Sequence, residues 1–270
     1  MRSTFIVIAS LVAALVTPAA TAATPSCGSL TAFSPAPTIG SGSNGTATAN
    51  FNGDGRLDLA VANTTANTVS VLLSAGNGSY SATTFAAGSR PYGIAAGDFN
   101  GDGRIDLAVT NDTVPGAVRI FLGNGLGAFV AAAGSPYTVL NNPRGIVAGD
   151  FDPSIPTRLD LAVTNYGSNA VSILLGNGNG TFSLPAPAYT WSTGTGPWGI
   201  VSGFFNNDAN LDLAVANYGS ASVTLLSGDG TGHFPTRTDF PVGSSPRSLA
   251  TALLNIRCKI LDAAPRYSAA

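Results

Sequence analysis

Apolar and polar residues alternate in short bursts along this chain, and the bursts recur. "RLDLAVAN" begins at residue 56, "RIDLAVTN" at 104, "RLDLAVTN" at 158 and "NLDLAVAN" at 210. In the first, Leu57, Leu59 and Val61 fall on one face and Asp58, Ala60 and Ala62 on the other. That is the period-two pattern of a strand, and a large face opposite a small one suits a sheet buried on both sides. Each burst is followed by a second apolar run: "TVSVLLS", "AVRIFLG", "AVSILLG" and "SVTLLSG". A Gly/Asn turn follows ("GNGSY", "GNGLGAF", "GNGNGTF", "GDGTGHF"), then a looser stretch ending in Gly and Pro. A short strand, "YGIAAGDF", "RGIVAGDF" or "WGIVSGFF", opens the next unit. Helical spacing is absent, and the glycines would break a helix.

Four short strands repeated every fifty residues or so predict an all-β fold, a β-propeller of four-stranded antiparallel blades. The units run over residues 24–255 and give about four full blades and a partial fifth, an incomplete ring. At the start, "SLTAFSPAPTIGSG" resembles the fourth runs and reads as an outer strand. At the end, "PRSLATALLN" opens a fifth unit, and residues 256–270 depart from the repeat. An open arc would leave strand edges without partners.

Composition narrows the chemistry. The chain has fourteen Asp and no Glu, one Lys (Lys259) and one His (His233). A net charge of −2 favours neither nucleic acid nor an anionic membrane. Arg2, an apolar run from Phe5 to Val16 and Ala20-Thr21-Ala22 form the pattern of a signal peptide over 1–23. The expected location is therefore extracellular or at the cell surface, and no later segment reads as a membrane span. Cys27 and Cys258 stand near the two ends, and the sequence leaves open whether they pair.

Ten of the fourteen Asp lie in one recurring loop, fullest in "DFNGDGRIDLAV". There Asp98, Asn100, Asp102 and Asp106 occupy positions one, three, five and nine, and Arg104 at position seven offers its carbonyl. Alternate oxygens around a glycine turn are what a hard cation such as Ca²⁺ takes. An Asx-rich turn accounts for the polar loop, but not for a ninth Asp inside an apolar run, so the reading favours calcium. The first loop has Asn50, Asn52, Asp54, Arg56 and Asp58. The third has Asp150, Asp152 and Asp160 around an insertion, "PSIPTR", and the fourth keeps Asn206, Asp208 and Asp212. The metal reads as structural rather than catalytic.

These residues resemble the FG-GAP/VCBS-type repeat, the calcium-binding propeller unit also found in integrin α subunits. The resemblance covers roughly residues 30 to 255 and implies a propeller, usually seven-bladed, with calcium between strands 1 and 2.

Strand direction sorts the remaining candidates. The acidic loops and the Gly/Asn turns must share one face of the arc. The starts of the first strands (Asn44, Tyr92, Arg144, Trp198, Arg247) and the turns between strands 2 and 3 (Thr64, Asp112, Tyr166, Tyr218) must share the other. Tyr92, Arg144, Trp198, Tyr166, Tyr218 and Arg247 are thus the candidate ligand residues, of the types that anchor sugars and protein partners. The alternative is that these rings only cap blade ends. The expectation is a secreted, calcium-stabilised binding or adhesion module for a glycan or protein ligand. A polysaccharide lyase or hydrolase, or a fragment of a larger propeller, are the rivals. Few acids lie outside the loops, so an enzyme is disfavoured.

Overall fold

The computed structural model describes residues 39–153, 158–184 and 190–251. The expected signal peptide, the early outer-strand run up to residue 38, both cysteines, the tail and most of the "PSIPTR" insertion lie outside them.

Within them every regular element is a strand. The first blade is β1 (Ser43–Ala49), β2 (Asp58–Asn63), β3 (Thr68–Ser74) and β4 (Tyr80–Ala86), hydrogen-bonded in that order. The second is β5 (Pro91–Gly97), β6 (Asp106–Asn111), β7 (Gly116–Gly123) and β8 (Phe129–Ala131), with β9 (Tyr137–Val139) also on β7. The third is β10 (Pro143–Gly149), β11 (Asp160–Asn165), β12 (Ala170–Gly176) and β13 (Phe182–Ser183), with β14 (Thr190–Ser192) also on β12. The fourth is β15 (Pro197–Gly203), β16 (Asp212–Asn217), β17 (Ser222–Ser227) and β18 (Thr236–Pro241). All pairings are antiparallel. The blades stack through their first strands and, among the described residues, do not close into a ring. In two blades the outer strand comes in two pieces, which the sequence did not foretell.

Second strands are buried on both faces, as the alternation of large and small residues predicts; β6, β11 and β16 are buried at every position. The core is therefore a series of layers between neighbouring blades. Leu107 and Val109 of the second blade pack with Ala60, Val69 and Val71 of the first. Leu161 and Val163 pack with Val118 and Ile120, and Leu213 and Val215 with Val171 and Ile173.

Two repeated devices fix one blade on the next. The first joins the inner strands. A β-bulge interrupts each pairing of strands 1 and 2, between Ser43 and Thr46, Pro91 and Ile94, Pro143 and Ile146, and Pro197 and Ile200. Each bulge holds a glycine with no room for a side chain. A Cβ on Gly45 would stand 2.2 Å from the Tyr92 carbonyl oxygen, one on Gly93 2.1 Å from that of Arg144, one on Gly145 2.4 Å from that of Trp198, and one on Gly199 2.5 Å from that of Arg247. Bare glycine lets the next inner strand approach this closely. In the middle blades a threonine completes the contact. Thr110 Oγ1 accepts from Gly93 N (2.8 Å) and donates to the Arg144 carbonyl (3.0 Å). Thr164 Oγ1 accepts from Gly145 N (2.8 Å) and donates to the Trp198 carbonyl (2.7 Å).

The second device sits at the acidic loops. The phenylalanine at loop position two is buried in each of the first three loops: Phe51, Phe99 and Phe151. Each ring meets a phenylalanine of the next blade edge-on: Phe51 with Phe129 (5.6 Å between centroids), Phe99 with Phe182 (5.6 Å) and Phe151 with Phe234 (5.8 Å). Their carbonyls accept from Gly127 N, Gly180 N and Gly232 N in the Gly/Asn turn of that next blade, at 3.1, 2.9 and 2.8 Å. Ile105, Leu159 and Leu211, at loop position eight, pack into these layers. Leu57, their counterpart in the first blade, is 70% exposed.

Candidate functional site

Both predicted faces can now be built from their residues. On the first, the loop between strands 1 and 2 closes around its ninth residue. Asp106 Oδ2 accepts from Phe99 N (2.9 Å) and Oδ1 from Gly123 N (2.8 Å) at the end of β7. Asp58 bridges Phe51 N and Ser74 N in the same way, both at 2.8 Å. Asp160 bridges Phe151 N (2.9 Å) and Gly176 N (2.8 Å), and Asp212 bridges Phe205 N and Gly228 N, both at 2.9 Å. This corrects one step of the sequence argument. The ninth Asp has a structural reason to exist without a metal: it is a buried strut that ties the acidic loop to the end of strand 3. Its partners are backbone N–H groups, which carry no sequence signature.

The other loop residues bond within their own loops. Asp98 accepts from Gly101 N (2.8 Å), Asp102 N (3.2 Å) and Gly103 N (2.8 Å). Asp102 accepts from Arg104 N (2.9 Å), Asn100 Nδ2 (2.9 Å) and Arg104 Nη2 (2.6 Å). In the first loop Asp54 accepts from Arg56 N (2.9 Å) and Asn52 Nδ2 (3.0 Å), and Asn50 Oδ1 accepts from Asp54 N (3.1 Å). In the fourth, Asn206 Nδ2 donates to Asp208 at 2.8 Å. In the third, Arg158 stands 3.8 Å from Asp152.

Whether these loops suit a hard cation turns on their oxygens. Burial raises the Asp106 pKa above the ordinary carboxylate value; the N–H groups of Gly123 and Phe99 oppose the rise, and the charges of Asp102 and Asp98 add to it. Burial likewise raises Asp160, with Asp150 adding to the effect, and Asp212, with Asp208 adding. Asp150 is raised by burial and then by Asp152. Among the described residues its Oδ1 is buried without a hydrogen-bond partner. Carboxylates that repel one another, and a buried oxygen with no donor, are features that a cation relieves. Among the described residues no three acidic, histidine or cysteine side chains already form a coordinating group. The donor chemistry thus fits Ca²⁺, most plainly at Asp150, while the second loop directs its oxygens to its own N–H groups.

On the opposite face the structure brings together all six candidate ligand residues. The bulges hold Asn44, Tyr92, Arg144 and Trp198, each just before its packed glycine. A bulge re-aims the side chain it contains. The Arg144 guanidinium carbon lies 3.7 Å from the Tyr166 ring centroid, 4.0 Å from that of Trp198 and 5.3 Å from that of Tyr92. The Arg247 guanidinium lies 4.8 Å from Trp198 and 5.1 Å from Tyr218. Trp198 is the hub, with Tyr218 at 5.3 Å, Tyr166 at 5.6 Å and Tyr92 at 6.0 Å between centroids. Hydrogen bonds from Arg247 and Ser245 hold the Tyr218 phenol below its ordinary pKa. At the first blade's end of this face, Asn44 Nδ2 donates to Thr64 Oγ1, which donates to the Pro91 carbonyl.

The sequence reading missed Arg90 and Asn142 on this face. Both hold the buried Asp112: Arg90 Nη2 at 2.9 Å and Asn142 Nδ2 at 3.0 Å. Arg90 and Asn142 have positive φ, and each stands just ahead of a first strand.

The family model described as "FG-GAP-like repeat" matches residues 50–109 and 98–153, two adjacent units. The chain carries FG-GAP-type repeats. The matched stretches contain the first two acidic loops whole and the start of the third, so the FG-GAP loops are the struts described above. No curated protein matches the chain. Among solved structures, one chain of the crystal structure of BBS1N in complex with ARL6DN, soaked with lead, is similar at a TM-score of 0.52 and 15% identity. The match covers 76% of this chain and 59% of that one, so this chain spans well under two thirds of its neighbour's length. At that identity the likeness shows the propeller-type fold alone.

Proposed function

We propose that this chain is a secreted binding module, stabilised by calcium, that engages a glycan or protein ligand through the face opposite the FG-GAP loops. The observation that supports the ligand reading is the convergence of Tyr92, Arg144, Tyr166, Trp198, Tyr218 and Arg247 around one indole. They come from three separate blades and the start of the next unit; strand direction puts these positions on one face but leaves the residue type at each one free. Tyr, Trp and Arg are also the residue types that dominate binding hot spots.

Calcium would be held by Asp98, Asn100, Asp102 and Asp106 with the Arg104 carbonyl, and by the matching residues of the first, third and fourth loops. Bound there, it would supply positive charge among the loop carboxylates. Asp106, Asp160 and their counterparts already fasten each loop to strand 3, and Phe51, Phe99 and Phe151 fasten it to the next blade. Stiffening the loop therefore stiffens the joint between blades, and with it the spacing of the ligand face.

An enzymatic reading finds little support. Of the acids outside the loops, Asp112 is held by Arg90 and Asn142, Asp239 by Arg237 and Thr224, and Asp229 by Thr231. Among the described residues that leaves no pair of carboxylates facing one another across a cleft, as glycosidic cleavage by acid and base requires. Glycan-array binding with and without EDTA tests the proposal. The full chain is expected to bind, EDTA to weaken binding, and Trp198→Ala to abolish it. Turnover of polysaccharide, or binding indifferent to Trp198, would contradict it.

A further inference from the structure

Among the described residues, the two arginines of the ligand face, like Arg119, differ from the other five arginines. Arg56, Arg104 and Arg158 pair with loop aspartates, Arg90 with Asp112 and Arg237 with Asp239. Among the described residues Arg144 and Arg247 have no carboxylate within ion-pair distance. The acid at this face, Asp112, is already held by Arg90 and Asn142. Arg144 Nε is buried and has no hydrogen-bond partner.

The aromatic rings explain how such a charge is tolerated and what it leaves available. Tyr166 and Trp198 lie against the Arg144 guanidinium at 3.7 and 4.0 Å. A cation over a ring is attracted by the ring's quadrupole, which compensates part of the lost hydration. Contact with ring faces leaves the Arg144 Nη donors free of the rings, while its Nε is buried and Arg247 also donates to the Tyr218 phenol; guanidinium N–H groups match the oxygens of an oxyanion. Arg144 thus covers one face of Tyr166, and Arg144 and Arg247 both lie over the Trp198 ring. What the patch presents outward is guanidinium edges bordered by phenols, not bare rings for a neutral sugar to stack on.

We infer that the ligand face is an oxyanion receptor, with Arg144 and Arg247 binding the carboxylate or sulfate groups of an acidic polysaccharide. This rests on the binding-face reading above and narrows it. A polysaccharide fits because phenols and guanidiniums alternate across the patch, offering partners to sugar hydroxyls as well as acids. A peptide adding to a sheet would need a free strand edge. The inner strands are packed against their neighbours here, Gly93 against the Arg144 carbonyl and Gly145 against that of Trp198.

The test measures retention of the full chain on immobilised polygalacturonate, heparin, dextran and poly-L-glutamate over a salt series. Binding is expected on polygalacturonate (carboxylate) or heparin (sulfate), the better of the two identifying the anion. It should weaken as salt rises and be absent on dextran. Arg247 is exposed, so Arg247→Gln should keep the fold, checked by its melting temperature, and weaken binding about tenfold. Adding Arg144→Gln should abolish it. Unchanged binding by Arg247→Gln, or equal binding to poly-L-glutamate, would overturn the inference. Binding to dextran alone that Trp198→Ala removes would also overturn it, while leaving the binding-face reading intact.

Discussion

Gly145→Ala is expected to destabilise the fold by about 3 kcal/mol, through overpacking that a backbone neighbour cannot relieve. The added methyl would meet the Trp198 carbonyl oxygen at 2.4 Å, Thr164 Oγ1 at 2.9 Å and Ile200 Cγ2 at 3.2 Å. Its first neighbour is backbone, so the fourth blade itself must move. That movement carries Trp198 away from Arg144, whose guanidinium now lies 4.0 Å from the indole. One methyl should therefore lower both stability and ligand affinity. Gly243→Ala is the control: it has nothing within 4 Å and no positive φ, so its effect should stay within about 0.5 kcal/mol. Urea unfolding of the two variants gives the comparison. Equal stabilities would mean that the inner strands are not packed as described.

Asp106→Ala is expected to cost about 4 kcal/mol, with or without calcium. It removes the only side chain that accepts from Phe99 N and Gly123 N, and both donors lie in buried contacts. Each buried N–H left without an acceptor costs about 1–3 kcal/mol. Asp106→Asn keeps one acceptor and turns an N–H₂ toward the second donor, so an intermediate loss of about 2 kcal/mol is expected. Unfolding in EDTA separates the two roles of this residue. The strut accounts for whatever loss persists there, and a metal role for whatever appears only with calcium. A variant as stable in EDTA as the parent would remove the strut from the account.

These two residues also show what the sequence could and could not tell. The blade count, the order of strands and the two opposed faces follow from period-two alternation and a repeat of regular length, because both are properties of side-chain pattern. The convergence of Tyr92, Arg144, Trp198 and Arg247 on one face follows from strand direction alone. Their contact distances do not, since those depend on how closely the inner strands approach. That approach is set by Gly45, Gly93, Gly145 and Gly199. Each follows a variable residue at the start of a unit, so the signal was present as a recurring second position. Its meaning lay in the neighbouring blade's carbonyl, which no spacing within one unit reveals. The strut role of the ninth Asp stayed hidden for a related reason: its partners are main-chain donors, identical in every residue type. The phenylalanine at loop position two recurs in all four loops, yet reads from sequence as the end of a strand. Only stacking shows that Phe51, Phe99 and Phe151 reach across to the next blade.

The central claim is that the FG-GAP loops take calcium and thereby stiffen the joints between blades. Calorimetric titration of the full chain with Ca²⁺, paired with thermal unfolding with and without EDTA, tests it most directly. The account predicts saturable heat. It also predicts a melting temperature about 4 °C higher at tenfold excess over Kd, the shift expected for about 1.4 kcal/mol in a domain of this size. No heat on titration and an unfolding temperature indifferent to chelation would contradict it.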